Sequence, residues 1–218
     1  MDPKISASVL VKSAKVIFWD FDGVIKESVN VKTLAFQKLF VEYGFEVSEK
    51  IRLHHEENGG MSRFEKIPIY MEFANLKPTD EKVNWLSKKF SNLVLEDVVS
   101  SPWIPGAETY IRSNTNQQIF IVVSATPTEE LMEIIDRLNL KSSFESIFGA
   151  PVSKTESIKA SLNRLSISAA DAVMIGDASA DLEAATLNKV PFILRRHSSN
   201  TKLAESFPGI TINNLSEI

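Results

Sequence analysis

The 218-residue sequence contains no cysteine. This absence excludes disulfides, thiolate metal ligands and a cysteine nucleophile, but it does not identify a cellular compartment. Long apolar runs are also missing, because nowhere do about 18 uncharged apolar residues follow one another. Residues 1–15 carry lysines without the apolar segment of a secretory signal. We therefore expect a cytoplasmic protein with no membrane partner.

An excess of positive charge is lacking as well. Lysine and arginine number 24 against 28 aspartate and glutamate residues, which gives a formal net charge of -4. No positive field would attract nucleic acid, so a small-molecule partner is favoured. No internal repeat or low-complexity segment is visible, and 44% hydrophobic residues are enough for a compact core.

Three short apolar runs each end at a polar residue. Residues 16–19 end at Asp20, residues 119–123 end at Ser124, and residues 172–175 lead into Gly176 and Asp177. Continuous apolar runs of this length are typical of strands buried on both faces of a parallel sheet. Helical patterns follow or separate these runs, at residues 128–139, 155–165 and 179–188. The alternation predicts an α/β fold with a doubly wound, mostly parallel sheet.

The segment between the first two strands has helical periodicity throughout. One predicted helix ends before Gly44, and a third starts at the capping-box residue Ser62, with Pro68 expected to kink it or delay its start. The second and fourth cover residues 48–57 and 79–94.

These helices predict an inserted domain. Residues 101–106 are rich in proline and turn formers, so they are suited to a hinge that returns the chain to the sheet. We predict a core domain of residues 1–26 and 104–218, and an all-helical cap domain of residues 27–103. Such a cap would cover the carboxyl ends of the strands, where open α/β sheets bind ligands.

The polar residues at the strand ends predict a metal site. Because the carboxyl ends of parallel strands meet at one edge, Asp20, Asp22, Ser124 and Asp177 should lie close together. Unneutralised carboxylates would repel one another there, and a divalent cation would relieve the repulsion. Oxygen ligands without a nearby histidine or cysteine favour Mg²⁺, which usually completes its coordination with water and a phosphate oxygen. The pattern therefore predicts a phosphorylated substrate.

The order of these residues resembles the four motifs of haloacid dehalogenase-like hydrolases. The motifs are Asp20-Phe21-Asp22-Gly23-Val24, Ser124 after an apolar strand, a lysine before the last motif, and residues 176–181 with the sequence GDASAD. The resemblance covers residues 16–185, and the helical insert looks like the C1-type cap of this family. It implies a phosphoric monoester hydrolase that acts through an aspartyl-phosphate.

The resemblance also implies the role of each residue in the chemistry. Asp20 would attack phosphorus, while Asp22 would protonate the leaving oxygen and later activate water. Ser124 would bind a phosphoryl oxygen together with backbone N–H groups near Gly23 and Ala125.

A lysine and a cation would offset negative charge in this site. Lys154 looks like the lysine of the third motif, and Lys159 competes for that role. The implied cofactor is Mg²⁺. Its ligands would be Asp20, the main-chain carbonyl of Asp22, Asp177 and, nearby, Asp181.

The cap would recognise the rest of the substrate. Among capped relatives the chain resembles β-phosphoglucomutase and phosphoglycolate phosphatase, and residues 60–63 look like the mutase loop that reads substrate. Arg63 would then bind a second anionic group, with Lys66 beside it, although a solvated positive face fits both equally well. His54 and His55 are predicted as cap surface or packing residues, and His197 as a solvated loop residue.

Two residues separate the possible reactions. Asp22 argues against a dehalogenase, because cleavage of a carbon–halogen bond needs no proton donor there. The mutases carry a histidine ten residues after the second aspartate, and this sequence has Lys32 at that position. We therefore predict a phosphatase acting on a small phosphorylated metabolite such as a phosphosugar, as a monomer or weak homodimer. The alternatives are a sugar-phosphate mutase and a non-catalytic phospholigand-binding regulator.

Overall fold

The fold is built on one parallel sheet. A computed structural model describes residues 6–113 and 118–218, so residues 1–5 and 114–117 of the predicted core lie outside the described residues. The strands are β1 (Val16–Trp19), β2 (Ile119–Pro127), β3 (Ser146–Ala150), β4 (Ala172–Gly176), β5 (Phe192–Arg195) and β6 (Ile210–Ile212). They are arranged in the order β3-β2-β1-β4-β5-β6, and every pair is parallel.

The strand order places one crevice at the centre of the sheet. The chain runs outward from β1 through β2 to β3, then crosses back to β4 on the other side of β1. The order therefore reverses between β1 and β4, and open α/β sheets bind ligands at the carboxyl ends beside such a reversal. Trp19, the last residue of β1, lies opposite Val122 of β2 and Ile175 of β4. Strands β1 and β4 therefore end near the same level, whereas β2 continues to Pro127.

Ten α-helices accompany the sheet in the described residues. They are α1 (Ala7–Ser13), α2 (Val29–Leu39), α3 (Phe45–Glu57), α4 (Arg63–Phe73), α5 (Asp80–Ser100), α6 (Ala107–Ser113), α7 (Thr128–Arg137), α8 (Lys154–Leu165), α9 (Ser179–Leu187) and α10 (Thr201–Ser206). None of these helices combines the length and the apolar character needed to cross a membrane.

Strand β1 is apolar at every position and is buried on both faces of the sheet. Ile17 and Trp19 pack into one hydrophobic cluster, whereas Val16 and Phe18 pack into a second cluster. Alternate residues of a strand point to opposite faces, so these two clusters lie on opposite sides of the sheet. The predicted doubly wound α/β architecture is confirmed.

The segment between β1 and β2 forms four long helices, α2 to α5, which contact one another. Their packing is aromatic: the ring of Phe36 stacks on Phe90 with centroids 4.0 Å apart, and Tyr70 meets Phe36 edge-on at 5.1 Å. Aromatic pairs of this kind add to the stabilisation that burial of their surface provides. The division into a core and a cap at residues 27 and 103 stays a prediction.

The helix ends differ from the sequence prediction in several places, and α5 continues to Ser100 instead of ending at residue 94. Helix α3 begins at Phe45 rather than at residue 48, directly after Gly44 with its φ of +90°. Helix α4 begins at Arg63, next to the predicted cap Ser62, and contains Pro68 in its interior, so the expected delay of its start was wrong. Its cap and its buried apolar face stabilise it without the hydrogen bond that the proline removes.

Candidate active site

Three carboxylates meet at the carboxyl edge of the sheet. Asp20 follows β1, Asp177 follows β4, and Asp181 lies in the first turn of α9. All three are buried, and carboxylate oxygens of the three residues lie within 4.8 Å of one another. The backbone N–H of Phe21 donates to Asp20 Oδ1 at 2.8 Å, which holds this side chain against the strand end.

Lys154 lies between two of these carboxylates. Its Nζ is 2.9 Å from Asp20 Oδ1 and 2.5 Å from Asp181 Oδ1. Ser153 and Glu156 form a capping box that starts α8, and this cap places Lys154 at the first helical position. Lys159 is exposed farther along the same helix, so the structure brings Lys154, and not Lys159, to the carboxylates.

The charges of this cluster shift one another's pKa values. Burial raises the pKa of Asp20 well above its ordinary value, Asp181 and Asp177 raise it further, and Lys154 opposes them. Burial and Asp177 likewise raise the pKa of Asp181 against the effect of Lys154. Burial alone would lower the pKa of Lys154, but Asp181 and Asp20 raise it above its ordinary value. One ammonium group is thus shared by several buried carboxylates, which leaves negative charge uncompensated.

This donor set fits a hard divalent cation. Oxygen ligands from carboxylates are those that Mg²⁺ accepts, and a cation would relieve the repulsion that raises the pKa of Asp20. Both oxygens of Asp181 already accept hydrogen bonds, Oδ1 from Lys154 and Oδ2 from the N–H groups of Asp177 and Ala178. Asp20 and Asp177 are therefore the better direct ligands, and Asp181 holds Lys154 and the turn before α9.

Asp22 contacts three donors. Ser28 Oγ donates to its Oδ1 at 2.6 Å, Thr126 Oγ1 donates to its Oδ2 at 3.2 Å, and the Lys32 ammonium forms a short ion pair with Oδ2. Burial would raise the pKa of Asp22, but Lys32 and these hydrogen bonds outweigh it and lower the pKa. Asp22 is therefore held as a carboxylate beside the main cluster.

The residues predicted to bind the phosphoryl group differ in whether they line the cavity and whether their donors already have partners. Ser124 and Ala125 line the cavity, and Ser124 Oγ accepts from the N–H of Thr126 at 3.1 Å, which orients the hydroxyl. The N–H of Gly23, in contrast, donates to Lys26 O at 2.8 Å. This N–H already has a partner in the turn, and a contact of the phosphoryl group with N–H groups near Gly23 stays a prediction. Its φ of +73° gives it a role in the turn after Asp22.

The two cations of α4, Arg63 and Lys66, are buried rather than solvated. Arg63 is 4% exposed and its guanidinium pairs with Glu130 of α7, at 2.7 Å from Nη1 and 2.5 Å from Nη2. Lys66 is 1% exposed and its Nζ lies 2.9 Å from His55 Nδ1. Burial, followed by the Lys32 ammonium, lowers the pKa of Lys66 to about 7. The alternative of a solvated positive face is thus wrong for both residues.

Sequence reasoning missed three contacts of this site. The sequence indicates Lys32 only indirectly, because it occupies the position where the mutases carry a histidine. Its contact with Asp22 was not predicted. Glu130 lies in the first turn of α7, and no pattern distinguishes it from the neighbouring Glu129. His197 was predicted to be solvated, and this was wrong, because its Nε2 lies 2.8 Å from Asp177 Oδ2.

One cavity joins these groups. The strand-end residues of the core line it on one side, and Lys32, Arg63 and Lys66 line it on the other. Its volume is about 50 Å³. Typical ligand pockets reach several hundred Å³, so this cavity by itself holds little more than a phosphoryl group.

These features define an α/β protein with a buried acidic centre at the carboxyl edge of a parallel sheet. The sequence profile of haloacid dehalogenase-like hydrolases matches residues 16–194. The chain belongs to this family. A search of the curated proteins finds no match.

Solved structures of the family share the fold. β-Phosphoglucomutase from Clostridium difficile has a TM-score of 0.73 and 19% identity, covering 94% of this chain and 93% of that one. A predicted phosphoglycolate phosphatase from Haemophilus somnus 129pt has a TM-score of 0.74 and 16% identity, with 94% and 96% covered. CbbY from Rhodobacter sphaeroides, solved in complex with phosphate, has a TM-score of 0.75 and 16% identity, with 94% and 96% covered. At these identities the likeness shows the fold alone.

Proposed function

We propose that this protein is a Mg²⁺-dependent phosphatase that hydrolyses a small phosphorylated metabolite through an aspartyl-phosphate on Asp20. The observation that carries the proposal is the buried group of Asp20, Asp177 and Lys154 at one sheet edge. A nucleophilic carboxylate, a cation site and a fixed ammonium are the parts that phosphoryl transfer through an aspartyl-phosphate uses.

The cation would be held by Asp20, Asp177 and the main-chain carbonyl of Asp22, with Asp181 keeping Lys154 in place. When bound, Mg²⁺ would neutralise charge on the phosphoryl oxygens and on the nucleophile. The Lys154 ammonium serves the same end, and both of its carboxylate contacts keep it protonated.

The first step transfers the phosphoryl group to the protein. A carboxylate oxygen of Asp20 attacks phosphorus, the bond from phosphorus to the substrate oxygen breaks, and Asp22 gives that oxygen a proton. In the absence of substrate Asp22 is held as a carboxylate by Lys32. The negative charge of the entering phosphoryl group would raise its pKa and so favour the acid form.

The second step releases phosphate. Asp22, again a carboxylate, takes a proton from a water molecule, and the resulting hydroxide attacks phosphorus. The bond between phosphorus and Asp20 breaks, which regenerates the free carboxylate. Ser124 and the N–H of Ala125 would bind the phosphoryl oxygens during both steps.

The cap would contact the remainder of the substrate through Lys66. Among the cations that line the cavity, Lys32, Arg63 and Lys154 each pair with a carboxylate. The described polar partner of Lys66 is the neutral ring of His55, so an anionic or hydroxyl group of the substrate would supply the missing partner. Contact of Arg63 with substrate stays a prediction, and its exchange between Glu130 and substrate would accompany cap opening.

A sugar-phosphate mutase is the second candidate, because β-phosphoglucomutase shares the fold. A mutase would convert a hexose phosphate into its isomer, whereas the phosphatase would release free sugar and phosphate. Product analysis after incubation with hexose phosphates separates the two. An isomer formed without net phosphate release would replace our proposal with the mutase.

The direct test is phosphate release from a generic aryl phosphate in the presence of Mg²⁺. We expect Asp20→Asn to abolish release, because the amide is a poor nucleophile. Asp97→Asn, on the exposed side of α5, is the matched control and should behave as the unmodified protein. Equal release by the unmodified protein and Asp20→Asn would show that the assigned nucleophile is wrong. Phosphate binding without release by the unmodified protein would favour a regulator.

A further inference from the structure

The loop after β5 packs against Asp177. His197 lies in this loop with its side chain only 11% exposed, and its Nε2 is 2.8 Å from Asp177 Oδ2. The ring thus contacts one of the two carboxylates that are best placed to hold a cation.

The hydrogen bonds of the ring assign its proton. The backbone N–H of Ser199 lies 3.2 Å from His197 Nδ1 and donates to it, so Nδ1 acts as an acceptor. A neutral imidazole with an accepting Nδ1 carries its proton on Nε2. His197 therefore donates a hydrogen bond from Nε2 to Oδ2 of Asp177, and no described residue donates to the other oxygen of that carboxylate.

The same loop also holds the main chain of Asp177. Asn200 donates from Nδ2 to Asp177 O at 2.7 Å and to Arg195 O at 2.8 Å. Asn200 Oδ1 in turn accepts from the N–H of His197 at 2.9 Å. The side chain and the backbone of Asp177 are thus fixed by two residues of one short loop.

We infer that His197 is a positioning residue for the divalent-cation site, which fixes the carboxylate of Asp177 for ligation together with Asp20. The inference rests on the proposed function, because it assumes that Asp177 is a ligand. A carboxylate that is already oriented loses less rotational freedom when it binds a cation, so affinity increases. Hydrogen-bond partners of metal ligands typically contribute about 10- to 100-fold in metal affinity.

Two variants of the same position separate this role from a purely structural one. Gln in place of His197 puts an amide donor near the position of Nε2, so the contact with Asp177 is kept. Asn puts an amide oxygen near the position of Nδ1, so the contact with Ser199 is kept and the donor to Asp177 is lost. Thermal unfolding without metal shows whether each variant keeps the stability of the unmodified protein.

The measurement is binding of Mn²⁺, an oxygen-seeking cation with a spectroscopic signal, to the purified protein without substrate. Titration followed by electron paramagnetic resonance gives the affinity independently of turnover. We expect His197→Asn to weaken binding about 10- to 100-fold, and His197→Gln to restore most of the affinity. Asp177→Asn, which removes the ligand itself, should weaken binding more than either.

Other results of the Mn²⁺ titration would contradict either the role of His197 or the metal site itself. Unchanged Mn²⁺ affinity in His197→Asn, or an equal loss in the Asn and Gln variants, would overturn the inference. If Asp177→Asn still loses binding in that case, the proposed function stands. Equal Mn²⁺ binding by the unmodified protein and Asp177→Asn would instead remove the metal site from the proposed function.

Discussion

Arg63 of α4 and Glu130 of α7 form a buried, bidentate ion pair that joins the helical insert to the sheet. The side chains are only 3% and 8% exposed, and Ser91 of α5 accepts a further hydrogen bond from Arg63 Nη1 at 2.6 Å. Burial would raise the pKa of Glu130, but hydrogen bonds and charge from Arg63 lower it. The pair therefore stays ionised where water is largely excluded.

Removal of one partner should destabilise the protein strongly. Glu130→Gln leaves the guanidinium buried without its carboxylate, and we expect the free energy of unfolding to fall by about 3–5 kcal/mol. Urea unfolding measures this change. The control is Glu96→Gln, which removes the second bidentate contact between insert and core, the exposed pair with Arg137. It should change the unfolding midpoint little, and equal effects of the two variants would contradict the role of burial.

The buried ammonium of Lys66 predicts a pH dependence of stability. Its pKa is about 7 in the folded protein against an ordinary value of 10.5. Below pH 7 both the folded and the unfolded protein hold the proton. Between these two values the unfolded protein binds the proton and the folded protein does not, so the contribution of this group to stability increases with pH.

Lys66→Met isolates this contribution. We expect the free energy of unfolding of the unmodified protein, relative to the variant, to increase by about 2 kcal/mol from pH 7 to pH 9. Urea unfolding of both proteins at several pH values gives the difference in their free energies of unfolding. The contributions of groups that titrate alike in both proteins cancel in this difference. A difference that stays flat across this range would show that Lys66 is not desolvated in solution.

A side chain at position 23 should disturb the acidic centre sterically. Its φ is +73°, and a Cβ at this position would overlap the carboxylate of Asp177. We therefore expect Gly23→Ala to displace Asp177 and abolish both Mn²⁺ binding and phosphate release. The matched control is Gly44→Ala, because Gly44 has a φ of +90° but no atom within 4 Å of the added Cβ. It should cost about 1–3 kcal/mol of stability through backbone strain and leave activity intact. Retained Mn²⁺ binding in Gly23→Ala would contradict the predicted clash.

The central strands of the fold were predictable because burial on both faces produces continuous apolar runs. Strands β1, β2 and β4 lie in the interior of the sheet and show this signal. Strand β3 is an edge strand that is only partly buried at its first three positions, and β6 has only three residues. Their sequences show no hydrophobic periodicity that would distinguish a strand from a loop. Pro68 misled the prediction of α4 because packing of the helix outweighs the local effect of proline.

The candidate site was predictable as far as strand topology determines it. Asp20, Asp22 and Asp177 follow strands and Ser124 lies in the last part of β2, so a parallel sheet places them at one edge. The pairs Arg63–Glu130 and Asp177–His197 join residues 67 and 20 positions apart in the sequence. Such contacts depend on how a helix or loop returns to the site, and no local pattern encodes that geometry.

The central claim is that Asp20 carries the phosphoryl group. Trypsin cleaves after Lys15 and Lys26, so a single peptide, residues 16–26, contains both Asp20 and Asp22. Acid quenching during turnover, followed by borohydride reduction, converts an acyl-phosphate into homoserine, which mass spectrometry of this peptide locates. We predict homoserine at position 20 and none in Asp20→Asn. Homoserine at position 22, or steady turnover with an unmodified peptide under conditions that trap a known acyl-phosphate, would contradict the account.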